Sequence, residues 1–444
     1  MLSKRLLPFI LITAVLVLTV SSIPMAMGFA ARENSQSDES SPKDTQAAFF
    51  YLNNEIRISD PTNPESERHL PAVAYNSVHN EYLVVWHNEW PGGHRDIYAR
   101  RVSASGKLLS WFAISAGSND RAQPDVVYNA TTDEYLIVWM YNASGDGKTY
   151  DIWGRTIAWN GAYQNPEFQI ITWPNRSFWT PKAAWNSVLN EYMVVWNAVD
   201  ATTTVPTDVA HAILSPTGVK LYGAIVTTAD HPHQTDITYN ATKNEYLVVW
   251  RRMQAPADGD IMAARLGGFG GQKITPPGVI TVSNTAQDQR SPEVATNQHN
   301  RYVVVWEHAF PGPCCDWDIR SRELDNNGNL LGNESLIAAS TEDETSPEVA
   351  ARYGSGWEYL VAFQQDQPSG KVVWAIHKKP NSRTGFVVAE ATFWDHETPA
   401  VAMGKVSSLI TYTGDTGGDP NIHKHIYARR YIPNSVYLPL TLYR

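Results

Sequence analysis

The chain has 444 residues, 43% hydrophobic and 11% aromatic, with 35 Lys and Arg against 45 Asp and Glu for a formal net charge of −10. Nucleic acid demands a basic footprint and an anionic membrane surface demands basic clusters, so this balance argues against both partners. Only two cysteines occur, Cys314 and Cys315, which excludes a disulfide framework.

The N-terminal segment reads as an export signal. Lys4 and Arg5 precede an apolar run at residues 6–20, and small residues follow at Ala26, Gly28 and Ala30. This is the pattern of a secretory signal peptide over residues 1–30, cut after Gly28 or Ala30. The run is shorter than the ~20 residues of a spanning helix, so no membrane insertion is expected after cleavage. Residues 31–48 are polar and Ser-rich, the composition of a disordered linker. The expected location is secreted or cell surface.

Residues 49–432 are organised by a repeat. Its clearest copy, residues 71–86, reads PAVAYNSVHNEYLVVW. Six further copies end at Trp139, Trp196, Trp250, Trp306, Phe363 and Tyr412, spaced 49 to 57 residues apart. A period of this size marks units that bury apolar faces on one another. In the first unit, residues 55–59 alternate polar and apolar, as a half-exposed strand does. Residues 71–75 form a second strand, with Pro71 tolerated at its first position. Residues 81–86 form a third, apolar on both faces and therefore covered on both. Residues 96–102 form a fourth, alternating again.

Turn chemistry agrees with this reading. Asn76 and Asn80 bracket a tight turn in which asparagine accepts the left-handed conformation, and Asn129/Asp133, Asn186/Asn190, Asn240/Asn244 and Asn297/Asn300 repeat the device. The next hairpin carries glycine at Gly106, Gly161, Gly218 and Gly328. Four antiparallel strands repeated seven times describe an all-β, seven-bladed β-propeller of four-stranded blades. The last unit lacks its own fourth strand. The N-terminal strand at residues 55–59 is expected to supply it and close the ring without an open edge. Residues 436–442, in the C-terminal tail 433–444, are the other segment that could do so.

The unit P-x-V-A-Y-N-x3-N-E-Y-L-V-V-W, followed by D-I-x-x-R, resembles repeats in secreted bacterial β-propeller proteins that mostly lack an assigned activity. The tail VYLPL at residues 436–440 resembles a C-terminal ending of other exported bacterial proteins. The sialidase aspartate box, S-x-D-x-G-x-x-W, is not met, and the Trp-Asp and Gly-His pairs of WD40 repeats do not recur.

In such a blade the short Asn and Gly hairpins share one face and the long connections share the other. Ligands bind where variable loops stand on a rigid scaffold, so the long-loop face and the channel mouth are the candidate site. Its candidate ligand-binding residues are Trp90, His94, Arg121, Trp179, His233, Arg290, Trp317, His396 and Glu397. Rings beside arginines and carboxylates can stack on sugars and hydrogen-bond their hydroxyls. The repeated Asp96, Asp151, Asp208, Asp260 and Asp318 read as turn caps rather than catalysts, because catalysis needs one asymmetric constellation. A carbohydrate-active enzyme, hydrolase or lyase, would need two carboxylates about 5–10 Å apart. Glu89, Glu307, Glu344 and Glu397 are the asymmetric loop acids.

No catalytic or metal motif occurs, and no cofactor is expected; calcium has possible places at residues 146–151 and 415–419. Adjacent Cys314 and Cys315 are candidates for a vicinal disulfide. The expected function is a monomeric, non-catalytic binding module for a polysaccharide or a surface protein. The enzyme is the alternative.

Overall fold

Each Tyr-to-Trp run is buried along its whole length. The run Tyr82, Leu83, Val84 and Val85 has no exposed surface, and Trp139, Trp306 and Phe363 are equally buried. These runs are the second strands of seven antiparallel sheets, and both of their faces pack on neighbouring sheets. The computed structural model describes residues 50–60, 66–228, 231–255, 258–276, 278–310, 316–353, 356–390, 395–415 and 423–433. The signal segment, the linker, the tail from residue 434 and the Cys314–Cys315 pair lie outside the described residues.

The sheets are four-stranded blades; the first six follow chain order from an inner first strand to an outer fourth, and the seventh takes its outer strand from the N-terminus. The inner strands are Glu67–Asn76, Asp120–Asn129, Arg176–Asn186, Pro232–Asn240, Gln289–Thr296, Glu344–Ala351 and His396–Met403, in blades 1 to 7. Apolar clusters join successive blades: Leu136 and Val138 of blade 2 pack with Val194 and Trp196 of blade 3. Emptying one of these positions, Trp139→Ala for example, should cost about 3–5 kcal/mol.

Blade 7 is completed by the N-terminus. Phe50–Leu52 and Ile56–Arg57 both pair with Lys424–Pro433, the third strand of that blade. Ile58 N–H donates to Ile426 C=O at 2.7 Å, and Ile58 is fully buried with Tyr82 and Leu409. The seam between first and last blades is therefore both hydrogen-bonded and apolar.

The Asn turns behave as their chemistry demands. Asn186 Oδ1 accepts from Val188 N–H and Leu189 N–H at 2.9 and 3.0 Å, while Asn190 takes φ of 53°. Asn186 Nδ2 also donates to Asn244 Oδ1 of the next blade at 3.0 Å. Gly106 and Gly328 sit at φ of 87° and 82° in the outer hairpins.

One expectation is corrected. The proline does not open its strand: blade 1 starts at Glu67, and Pro71 lies inside it. Every inner strand carries a bulge there. In blade 1 the register jumps from His69 to Ala72, in blade 3 from Trp179 to Lys182. The residue before each proline or its Thr235 equivalent is left-handed: Leu70, Gln123, Thr180, Gln234, Ser291, Ser346 and Thr398 have φ between 48° and 53°. A bulged residue needs no ladder N–H, so proline is tolerated inside the strand.

Candidate functional site

The seven bulges meet around one axial cavity of about 320 Å³, lined by all seven inner strands. That volume lies at the low end of the ~300–1,000 Å³ of small-ligand sites. The bulge places two or three consecutive residues of each blade against this cavity. The residue after the proline is Ala72, Asp125, Lys182, Asp236, Glu293, Glu348 and Ala400 around the ring. Blades 7 and 1 thus contribute small methyl groups, and blades 2 to 6 contribute charges.

These charges converge. Lys182 Nζ lies 3.2 Å from Glu293 Oε2 and 3.6 Å from Glu348 Oε1, so a lysine of blade 3 reaches carboxylates of blades 5 and 6. Asp125 Oδ2 accepts from Ala183 N–H and Asp236 Oδ2 from Val294 N–H, each at 2.8 Å and each in the following blade. Burial raises the Glu293 carboxyl well above the usual range, helped by the charges of Asp236 and Glu348 and by a hydrogen bond shared with Asp236. Burial also pushes Glu348 to about 7 and Asp125 to about 6, with Lys182 pulling both the other way. Burial alone would favour a neutral Lys182 amine, but Glu293, Glu348, Asp236 and Asp125 hold its ammonium well above the ordinary lysine range. The side chains of Lys182, Glu293 and Glu348 keep 24%, 17% and 30% exposure to the cavity, so water moderates these effects.

The constant residues of the repeat do not reveal this ring. The signal was the variable residue after the proline, the x of P-x-V-A-Y-N, which changes from alanine to four acids and a lysine.

A second ring stands just before the bulges: His69, Ala122, Trp179, His233, Arg290, Thr345 and Glu397. All but Ala122 are half-buried. Four of the residues expected in the site therefore occupy one structural position. Trp179 Nε1 donates to Ser177 Oγ at 2.7 Å. Burial, reinforced by Arg251, lowers His233 to about 4, so its ring is neutral. Arg290 donates from Nε to Glu307, and its guanidinium lies 3.6 Å from the centre of the Trp317 ring. Glu307 Oε1 also accepts from Ser346 N–H of blade 6 at 2.9 Å. Glu397 binds Lys371 at 3.3 Å and Lys424.

The other candidates lie elsewhere. Trp90 stacks on His94 in the long loop of blade 1, with ring centres 6.3 Å apart, and donates to Asp96 Oδ2 at 2.7 Å. Arg121 is buried and holds Ser115 Oγ and the Asn119 carbonyl, each at 2.5 Å. His396 is buried edge-on to Tyr412.

The repeated aspartates are tied to structure. Asp96 accepts from Gly117 N–H at 2.9 Å, Asp208 pairs with Arg176 and Asp260 pairs with Arg252. Of the loop acids, Glu344 is buried with Ser340 and Gln365, and burial raises it to about 7. Glu89, Glu307, Glu344 and Glu397 belong to blades 1, 5, 6 and 7. Asp146, in a loop considered for calcium, spends Oδ1 on Lys148 N–H and Thr149 N–H at 2.8 Å. Among the described residues no group of three His, Cys, Asp or Glu is arranged to hold a metal.

No protein-family model matches the chain, and no curated protein matches it in sequence. Solved structures do resemble it. A protein of unknown function from Dyadobacter fermentans aligns with TM-score 0.53 at 10% identity, over 87% of this chain and 99% of that one. The polysaccharide lyase Uly1 aligns with TM-score 0.51 at 9% identity, over 86% and 99%. The phage phi92 endosialidase aligns with TM-score 0.50 at 7% identity, over 88% and 70%. At these identities the likeness is one of fold: the chain is a seven-bladed β-propeller.

Proposed function

We propose that the protein is a secreted, non-catalytic binding module that receives a polysaccharide at the mouth of its central channel. One observation carries this reading. The ring one residue before the cavity-lining bulges varies in chemistry from blade to blade, is half-buried in six of the seven, and borders a cavity of about 320 Å³. A ring repeated in position and varied in chemistry gives a rigid frame for one asymmetric ligand. Trp179 supplies a sugar-stacking surface, while His69, His233 and Arg290 supply polar contacts.

The loop acids support binding rather than catalysis. Glu307 is spent on Arg290 and Ser346, Glu397 on two lysines, and Glu344 on Ser340 and Gln365. Each of these three carboxylates is already engaged by protein partners. The Lys182 ammonium is held charged and offers no nucleophilic amine.

A carbohydrate-active enzyme is the second reading, and it moves to the channel, where Glu293 and Glu348 converge on Lys182. Affinity electrophoresis in polysaccharide gels, with parallel assays of reducing-end release, separates the two readings. Binding proteins are retarded without releasing ends, and Trp179→Ala abolishes the retardation. Retardation unchanged in Trp179→Ala removes the proposed mouth, and reducing ends lost in Glu293→Gln establish the enzyme.

A further inference from the structure

The channel ring has a property that ligand binding does not require. Lys182 is the only cation among its seven members, and its ammonium crosses from blade 3 to blades 5 and 6. Neighbouring blades in this fold are already joined by apolar clusters. Lys182 instead joins blades that are not neighbours, through the axis of the ring. Ala72 and Ala400 leave the opposite side of the ring without any charged group. The side chains facing the ammonium are therefore Asp125, Asp236, Glu293 and Glu348, from blades 2, 4, 5 and 6. No other inner strand adds a titratable group at this level.

We propose that this ring is a proton-operated latch: with Glu348 and Asp125 ionised, Lys182 braces the propeller across its centre, and proton uptake by these acids releases the brace. The latch bears on the binding site above it but does not depend on a saccharide binding there.

The titration order follows from the ring itself. Burial and the charges of Asp236 and Glu348 favour the protonated form of Glu293. Glu348, near 7, and Asp125, near 6, take up protons next as pH falls. Two opposite effects then act on stability. Acids raised above their unfolded values stabilise the folded chain most below those unfolded values, and this contribution is lost as pH rises through about 6 to 7. The brace runs the other way, since an ammonium attracts carboxylates and not carboxyl groups. Its effect is largest above pH 7 and fades in acid.

Thermal unfolding of the parent and Lys182→Met between pH 5 and 8 tests the latch. The variant should lose at least twice as many degrees of melting temperature at pH 8 as at pH 5. Glu348→Gln imitates the protonated ring and covers the case in which Lys182→Met does not fold. Introducing Lys182→Met into Glu348→Gln should restore folding at pH 8. In Glu348→Gln itself, the melting temperature should change less between pH 8 and 6 than in the parent. An equal loss for Lys182→Met at both pH values, or a Glu348→Gln profile parallel to the parent's, overturns the proposal. So does a Lys182→Met chain that stays unfolded in the Glu348→Gln background. Each measurement reads the protein alone, so a failure to bind saccharide leaves the latch standing.

Discussion

Arg290 and Trp317, on the first and third strands of blade 5, form one unit: the guanidinium carbon lies 3.6 Å from the centre of the indole ring. The same guanidinium donates to Glu307, whose other oxygen accepts from Ser346 N–H of blade 6. The chain Trp317–Arg290–Glu307–Ser346 thus runs from the start of the third strand of blade 5 to the bulge of blade 6 that lines the cavity.

Breaking this chain should loosen the channel mouth. Trp317→Ala removes a cation–π contact of about 0.5–2 kcal/mol and frees the Arg290 fork. Arg290→Lys keeps the charge but loses the planar stack. Each change should weaken saccharide affinity about tenfold, equivalent to ~1.4 kcal/mol, in isothermal titration. Affinity unchanged in both variants would remove blade 5 from the site.

Ring closure predicts a stability cost far from the site. Ile58 is fully buried between blades 1 and 7, and its N–H bonds Ile426. Ile58→Ala should cost about 2–5 kcal/mol by opening a cavity in the seam. Denaturant unfolding checks this, and a loss below about 0.5 kcal/mol, the scale of surface substitutions, would mean that the seam is not closed there.

Glu397 predicts an acid sensitivity. Burial alone would raise its carboxyl, but hydrogen bonds and charge from Lys424 and Lys371 hold it below the ordinary glutamate range. A depressed carboxylate stabilises the fold above its unfolded pKa, and that stability is lost as pH falls through the folded value. Glu397→Gln should therefore be less stable than the parent at pH 7 by about 1.5–3 kcal/mol, the worth of hydrogen bonds to a charged group. The two should converge in acid below the ordinary glutamate range. A gap that persists undiminished in acid would assign the loss to packing instead.

Much of this architecture was legible in the sequence. The Tyr82-to-Trp86 run, the Asn76 and Asn80 pair and the missing outer strand of the last unit together specify the blades, their turns and the closure. Each is a local signal: burial on two faces, a side chain capping its own turn, an unpaired edge. The bulges were not legible, because Leu70 and Thr180 carry no local preference for the left-handed conformation, which tertiary packing imposes. The channel ring was hidden by distance. Lys182 and Glu348 stand more than 160 residues apart, and only ring closure brings them together. Arg121 and His396 have the chemistry of ligand-binding residues, yet their strands turn them into the blade interior. Trp179, His233, Arg290 and Glu397 gained a common meaning only once the bulge placed them on one ring.

The channel mouth is proposed to bind a saccharide. The most direct measurement is a broad polysaccharide and glycan array probed with the chain lacking residues 1–30, first with calcium and then with chelator. Saturable binding to a restricted set of glycans, lost in Trp179→Ala and unaffected by chelator, is expected. A blank array from folded protein, or binding that survives Trp179→Ala, would contradict it.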